Sequence, residues 1–296
     1  MKELNIFCFG FGQVAKEFIK KLLSEKYNLN IAITTRQESN IIEFLGQKIS
    51  NFELNNDKID KNIFKKLKDF DHILISIPPE HERDLVLKYF SKEILDQNIK
   101  WITYLSATSV YGNHEGKWVD ENSKTLPKSK NGIDRLAVEK VWIKMYERNN
   151  IPLQIFRLSG IYGPKRSVFE RINSGLARPI YAPTTYFSRI HVDDIIQVIL
   201  ASISSPRAGA FYNLADDEPT TSSEIIEYAY ALMGRSPPPA ISLADSGLSE
   251  IGKTFYTESR RVKNDRIKRE LGVKLRFPDY RHGLDAIFND ILRYQA

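Results

Sequence analysis

Near the start of the chain, Gly10-Phe11-Gly12-Gln13-Val14-Ala15 has the residue types and spacing to hold a pyrophosphate. A glycine at 10 lets the chain turn sharply, a glycine at 12 lets backbone approach the anion, and a small residue at 15 lets a helix pack on the preceding strand. The N–H groups of the opening helical turn, at Gln13 and Val14, lack intrahelical partners and would face the phosphates. On its own the motif describes a plain tight turn equally well. Its context favours the ligand reading: the apolar run Asn5–Phe9 precedes it, and a helical pattern follows with Val14, Phe18 and Leu22 on one face. That helix is expected to end near Asn28.

The next apolar run, Leu29–Ile33, ends in Thr34-Thr35-Arg36, where a carboxylate would be needed to take a ribose 2′-hydroxyl. Arg36 can instead pair with a 2′-phosphate, with Thr35 hydrogen-bonding beside it, so the expected cofactor is NADP, with NAD as the alternative. The competing reading is an exposed arginine at a strand end. Further strands are expected near Ile49–Leu54, over Asp71–Ile77 before Pro78-Pro79, and over Lys100–Leu105. Strands alternating with helices predict a doubly wound α/β fold, its parallel sheet covered by helices on both faces. Strand C-termini line one crevice in such a sheet, which places Ser76, Pro78 and Ser106 at the cofactor site.

Elsewhere, Tyr111, Thr108 and Ser109 could exchange or relay a proton, as could Tyr162 and Tyr186, although buried tyrosines commonly only pack. Arg189 and His191 precede Asp193-Asp194 and an apolar helix, so Asp193 reads first as a helix N-cap. No second histidine at ligand spacing accompanies His191, and no metal is expected. Thr221-Ser222-Ser223-Glu224 is a capping box, with Gly234 closing its helix. Leu153–Leu158 and Phe211–Ala215 read as strands returning to the main sheet.

Four ordered segments resemble the NAD-dependent epimerase/dehydratase family of extended short-chain dehydrogenases/reductases. They are Ser106–Gly112, Arg157–Pro164, Arg189–Asp194 and Phe211–Pro219, and the likeness runs on into Arg261–Arg266 and Leu271-Gly272. The resemblance implies a Rossmann-type lobe and a smaller mixed α/β C-terminal lobe that holds a sugar-nucleotide-type or other phosphate-bearing small substrate. It implies hydride transfer with a Ser/Thr, Tyr and Lys catalytic set, Ser159 near the cofactor, and Tyr162, Arg189 and His191 near the substrate. A helix-bundle homodimer is common in the family. At the matching positions this chain has Ala107, Asn131 and Arg135. Alanine donates no hydrogen bond and an Asn amide does not titrate, whereas Arg135 keeps a positive charge for the ribose. The departure resembles the atypical members of the superfamily. Tyr111 and Thr108, with Arg135, become the candidate catalytic groups. The alternative is a non-catalytic NADP-binding sensor or scaffold.

The lobes are expected to interleave. Residues 1–160 form the first, with 186–215 returning to it, and 161–185 and 216–296 form the second. The 296 residues suffice for a large core, and a 42% hydrophobic, 27% charged composition excludes disorder. The net charge of +6 is spread among acids, as in Asp57–Asp69, and no nucleic-acid-reading motif accompanies it. The lone Cys8 fits a reducing compartment, so a cytoplasmic protein is expected. The apolar run near the start is too short to span a bilayer, and no membrane partner is expected.

Overall fold

The computed structural model describes residues 2–25 and 27–295. In chain order its strands and helices are β1 (Lys2–Phe9), α1 (Gln13–Ser24), β2 (Tyr27–Thr35), β3 (Asn40–Phe44), β4 (Gln47–Glu53), α2 (Asn62–Lys66), β5 (His72–Ile75), α3 (Leu85–Leu95), β6 (Trp101–Ala107), β7 (Trp118–Val119) and α4 (Lys130–Asn149). The second half adds β8 (Leu153–Leu158), β9 (Gly160–Tyr162), α5 (Val168–Asn173), β10 (Arg189–His191), α6 (Val192–Ser204), β11 (Ala210–Leu214), α7 (Ser222–Leu232), α8 (Glu250–Thr254), β12 (Arg261–Val262), α9 (Asp265–Leu271) and α10 (Tyr280–Gln295). Single 3-10 turns at Leu67–Asp69, Thr108–Tyr111 and Ala244–Ser246 complete the set.

Eight strands form one sheet in the order β11-β8-β6-β5-β1-β2-β4-β3. β1 runs parallel to β2 and β5, as do β2 to β4 and β5 to β6. Ile6, Phe7, Cys8 and Phe9 are all fully buried, the pattern of a strand covered on both faces. The core on one side gathers Phe7, Phe9, Phe70, Phe90, Tyr104 and Trp142. This is the doubly wound α/β architecture read from the sequence, with two differences. Helix α1 stops at Ser24, short of Asn28, because Tyr27–Asn30 pairs in register with Lys2–Asn5 and the ladder claims those backbone groups. An antiparallel edge strand, β3, joins the sheet beyond the elements expected from the sequence. Leu45 and Gly46, both at positive φ, turn it back onto β4 as a two-residue hairpin.

The chain divides into two compact units. The first holds residues 1–107, 133–157 and 196–212, and the second 108–132, 158–195 and 213–296. The expected boundaries differ, since 108–132 and 186–195 belong to the second unit. Their bonds explain this: the N–H groups of His114 and Gly116 donate to Ser259 O, Arg260 donates to Gly112 O at 2.8 Å, and β10 pairs with β9. The second unit is thus comparable in length to the first rather than smaller. Its core packs Phe169, Ile172, Ile225, Ala229, Leu284 and Ile287 from α5, α7 and α10. Helix α7 opens with the expected Thr221/Glu224 capping box.

Asp193 is not the N-cap of α6. It lies in the first turn, where its N–H donates to His191 Nδ1 at 3.2 Å, and its carboxylate meets Arg276 at 3.3 Å. The imidazole takes the capping role because a ring nitrogen can accept as an Asx oxygen does.

Candidate functional site

In the first unit, the ends of β1, β2 and β5 and the start of α1 border a cleft of about 1120 Å³. Gly10, Gly12, Thr35, Arg36, Ser76 and Pro78, all expected from the sequence at a cofactor site, stand together in its lining. Gly10 has φ of +99°, and a β-carbon there would lie 2.6 Å from Ser76 Oγ, so only glycine fits the turn. Thr34, fully buried, accepts from Gly10 N–H at 2.9 Å, and Ser76 donates through both N–H and Oγ to Phe9 O. These bonds fix the loop against the neighbouring strand ends. Gly12 differs, because a β-carbon added to it would meet no protein atom within 4 Å. A side chain there would stand in open space, which is the room a closely approaching pyrophosphate needs. Helix α1 begins here without a side-chain cap and without an acid in its first turn, leaving its N-terminal dipole free for an anion.

Cations dominate the rest of the lining, with Lys16, Arg36, Arg83 and Lys88 against Asp57 and Glu80. Arg36 Nη2 donates to Glu80 Oε1 at 3.1 Å, and Asn56 Nδ2 donates to Glu80 Oε2 at 2.8 Å. Glu80, His81, Asn55 and Asn56 were not singled out from sequence. They lie on loops distant along the chain from Arg36, and only the sheet order brings them to its side. The residues present fit a dinucleotide: a glycine turn, an uncapped helix start and an arginine at the second strand's end.

Other expected cofactor residues lie outside this lining. Gln13 and Val14 open α1, and Val14 is buried. Ser106 and Ser159 are buried, and neither Oγ has a hydrogen-bond partner among the described residues. Arg135 Nη1 donates to Leu105 O at 2.6 Å. Of the positions matched to the catalytic set, Ala107 ends β6, and Asn131 and Arg135 are one turn apart on α4. Asn131 is exposed, with Nδ2 at 3.5 Å from Ser109 Oγ. Thr108 is buried at the head of its 3-10 turn. Tyr111 is fully buried and donates its hydroxyl to Asn213 Oδ1 at 2.7 Å.

In the second unit a smaller cavity of about 390 Å³ is lined by Tyr162 and Arg189, together with Lys165, Arg166, Ser167, Arg171 and Tyr280. Arg189 donates to Phe187 O and Thr220 O, and burial lowers its pKa to about 10, with the Asp216 carboxylate opposing the shift. Asp216 is itself buried, and neither of its carboxylate oxygens has a hydrogen-bond partner among the described residues, so desolvation pushes its pKa well up. Adjacent aspartates at 216 and 217 carry no local pattern that distinguishes the inward one, and it is Asp216 that is buried and Asp217 that is exposed. Burial also raises the Tyr162 hydroxyl, which lies 3.4 Å from Asp279 O. His191 is not in this lining. It is buried between the rings of Tyr162 and Phe277, and desolvation brings its pKa down to about 4. Tyr186 sits beneath the Arg261 guanidinium at 3.8 Å. Among the described residues, no group of three or more His, Cys, Asp or Glu could hold a metal ion, and no helix is long and apolar enough to cross a membrane.

The fold and the glycine-lined cleft define an α/β protein of Rossmann type. Residues 86–215 match the model of the NAD dependent epimerase/dehydratase family. It is 24% identical over 134 residues to ADP-L-glycero-D-manno-heptose-6-epimerase of Brachyspira hyodysenteriae (strain ATCC 49526 / WA1), covering 40% of this chain and 42% of that protein. The chain thus spans less than half the length of the curated relatives it matches. Among solved structures, a functionally unknown conserved protein from Silicibacter pomeroyi DSS is 36% identical, with a TM-score of 0.85 over 97% of this chain and 98% of that one. UDP-glucuronic acid 4-epimerase from Bacillus cereus, solved in complex with NAD, shares the fold at 15% identity, with a TM-score of 0.75 over 98% of this chain and 97% of that one.

Proposed function

We propose that the chain is an atypical member of the extended short-chain dehydrogenases/reductases that binds NADP in the first unit's cleft and acts on a sugar-nucleotide-type or related phosphate-bearing substrate. The observation that carries this reading is the Gly10–Gly12 turn opening onto the uncapped start of α1, with Arg36 at the end of β2. Gly10, Gly12, Gln13 and Val14 would hold the pyrophosphate through backbone N–H groups, and Thr35 and Arg36 the ribose 2′-phosphate. Ser76 and Pro78 border the same cleft, Ser106 stands at the end of a further strand of the same sheet, and Arg135 would keep for the ribose the charge of the family's lysine. Bound there, the nicotinamide supplies a two-electron hydride donor or acceptor. The Lys165, Arg166 and Arg171 cations beside Tyr162 and Arg189 favour a phosphate-bearing substrate. The expected cytoplasmic setting rests on the single thiol, Cys8, which burial pushes up to about 12 and leaves inert.

Ordinary family chemistry needs a titrating group where this chain has Asn131, and Tyr111, the candidate substitute, gives its hydroxyl to Asn213. That observation favours a second reading, a cofactor-binding sensor or scaffold without turnover. Fluorescence titration with NADPH and NADH tests the binding common to both. NADPH binding weakened about ten-fold by Arg36→Ala, with NADH little changed, is the expected result. No binding of either dinucleotide would sink both readings. Exchange of deuterium from labelled NADPH then separates enzyme from sensor.

A further inference from the structure

Arg36 does not stand alone in the cleft. Both oxygens of Glu80 are engaged, one by Arg36 at 3.1 Å and the other by Asn56 at 2.8 Å. Glu80 is held there by an unusual turn. Its N–H and C=O both pair with Arg83 at 3.0 Å, and the two intervening residues, His81 and Glu82, have φ of +51° and +59°. Such a two-residue turn ordinarily uses Asn and Gly, because other side chains are strained at positive φ. Here Glu82 N–H is tied to Asp134 Oδ1 at 3.0 Å, and Asp84, the residue after Arg83, caps α3 by accepting from Leu87 N–H at 2.9 Å. The loop is therefore fixed from both sides, and what it presents to the cleft is a carboxylate on Arg36, the arginine proposed to take a 2′-phosphate.

We propose that Glu80 sets which nicotinamide dinucleotide the cleft accepts, its carboxylate being an internal counter-ion of Arg36 that a ribose 2′-phosphate must displace and a 2′-hydroxyl need not. The assignment rests on the reading of the cleft as a dinucleotide site. The geometry gives it a direction. A 2′-phosphate arriving at Arg36 meets Glu80 as a like charge, and must break the Arg36–Glu80 pair before it can take the guanidinium bidentately. A 2′-hydroxyl can accept from Arg36 or donate to Glu80 with the pair intact. Glu80 therefore lowers the preference for NADP that Arg36 alone would give.

The test is titration of wild-type protein, Glu80→Gln, Arg36→Ala and the double variant with NADPH and NADH, and with the fragments 2′,5′-ADP and 5′-AMP. Glu80→Gln keeps shape and removes charge. It is expected to tighten NADPH and 2′,5′-ADP about five-fold while moving NADH and 5′-AMP less than about two-fold, the scale of one exposed charge contact. The gain should vanish when Arg36 is alanine. Asn56→Ala, which frees Glu80 without removing it, should give a smaller shift in the same direction. An unchanged NADPH to NADH ratio, or a gain that survives Arg36→Ala, would each overturn the assignment. If neither dinucleotide binds wild-type protein, the reading of the cleft fails and this assignment falls with it; if both bind and the ratio does not move, only the role of Glu80 fails.

Discussion

Arg135 Nη1 donates to the carbonyl oxygen of Leu105 at 2.6 Å, pinning α4 to the C-terminal part of β6. The contact uses the planar donor fork of Arg, whereas the family's lysine offers a point charge on a flexible stem. Arg135→Ala should cost about 1–3 kcal/mol in urea unfolding, since the partner carbonyl loses a charge-assisted bond. Arg135→Lys should recover only part of it. If the residue also reaches the ribose, NADPH binding falls in the alanine variant by more than the loss of folded protein explains.

The two cleft glycines should fail differently. Gly10→Ala combines positive φ with a β-carbon 2.6 Å from Ser76 Oγ, and is expected to destabilise by on the order of 3 kcal/mol. Gly12→Ala has φ of −77° and open space, so its unfolding midpoint should correspond to a change within about 0.5 kcal/mol. Its NADPH affinity should nevertheless drop about ten-fold or more, because the methyl group occupies the ligand's approach. Equal affinity for NADPH in Gly12→Ala and wild-type protein would move the pyrophosphate away from this turn.

The strand, glycine turn and helix at the start were legible because all three are local: β1 is apolar on both faces, and the residues that turn the chain are adjacent. The hairpin strand β3 was not. Asn40–Phe44 is short, exposed at Ile41 and takes its shape from pairing with β4 rather than from a pattern of its own. The Arg36–Glu80 pair spans 44 positions, and no local rule joins residues that only the sheet order makes neighbours. The type and position of Asp193 suit a helix cap. The imidazole two residues earlier took that place, because its neighbours Tyr162 and Phe277 bury it where a ring nitrogen can face the helix start.

Tyr111 offers a direct choice between structure and proton transfer. Its hydroxyl is buried on Asn213, whose own N–H donates to Glu121 and whose Nδ2 donates to Lys263 O. In the structural role, Tyr111→Phe strands the amide oxygen and lowers unfolding stability by about 1–3 kcal/mol, with NADPH affinity and any turnover intact. In a proton-transfer role, turnover would instead fall by roughly a hundred-fold or more. The hydrogen bond favours the first outcome, and urea unfolding alongside single-turnover kinetics distinguishes them.

His191 should give the protein an acid-side instability. Desolvation among Tyr162 and Phe277 lowers its folded pKa to about 4, with Arg276 adding to the shift and Asp193 opposing it, whereas the unfolded chain titrates near 6.5. Between those values the unfolded state binds a proton that the folded state refuses, so stability is full above about 6.5 and is lost as pH falls toward about 4, by up to about 1.4 kcal/mol per pH unit. Asp84 works against it in the same window. Burial raises its folded pKa to about 6, so the folded state holds a proton that the unfolded state releases, and stability falls as pH rises from near 4 to about 6. From pH 4 to 6 the contributions of these two groups therefore oppose each other. Asp84→Asn keeps a capping oxygen and removes one slope, and should expose a steeper loss on acidification; His191→Asn can still cap α6 and should remove the other. Urea midpoints at half-unit pH steps check both, and parallel profiles for all three proteins would show that neither group titrates as its surroundings dictate.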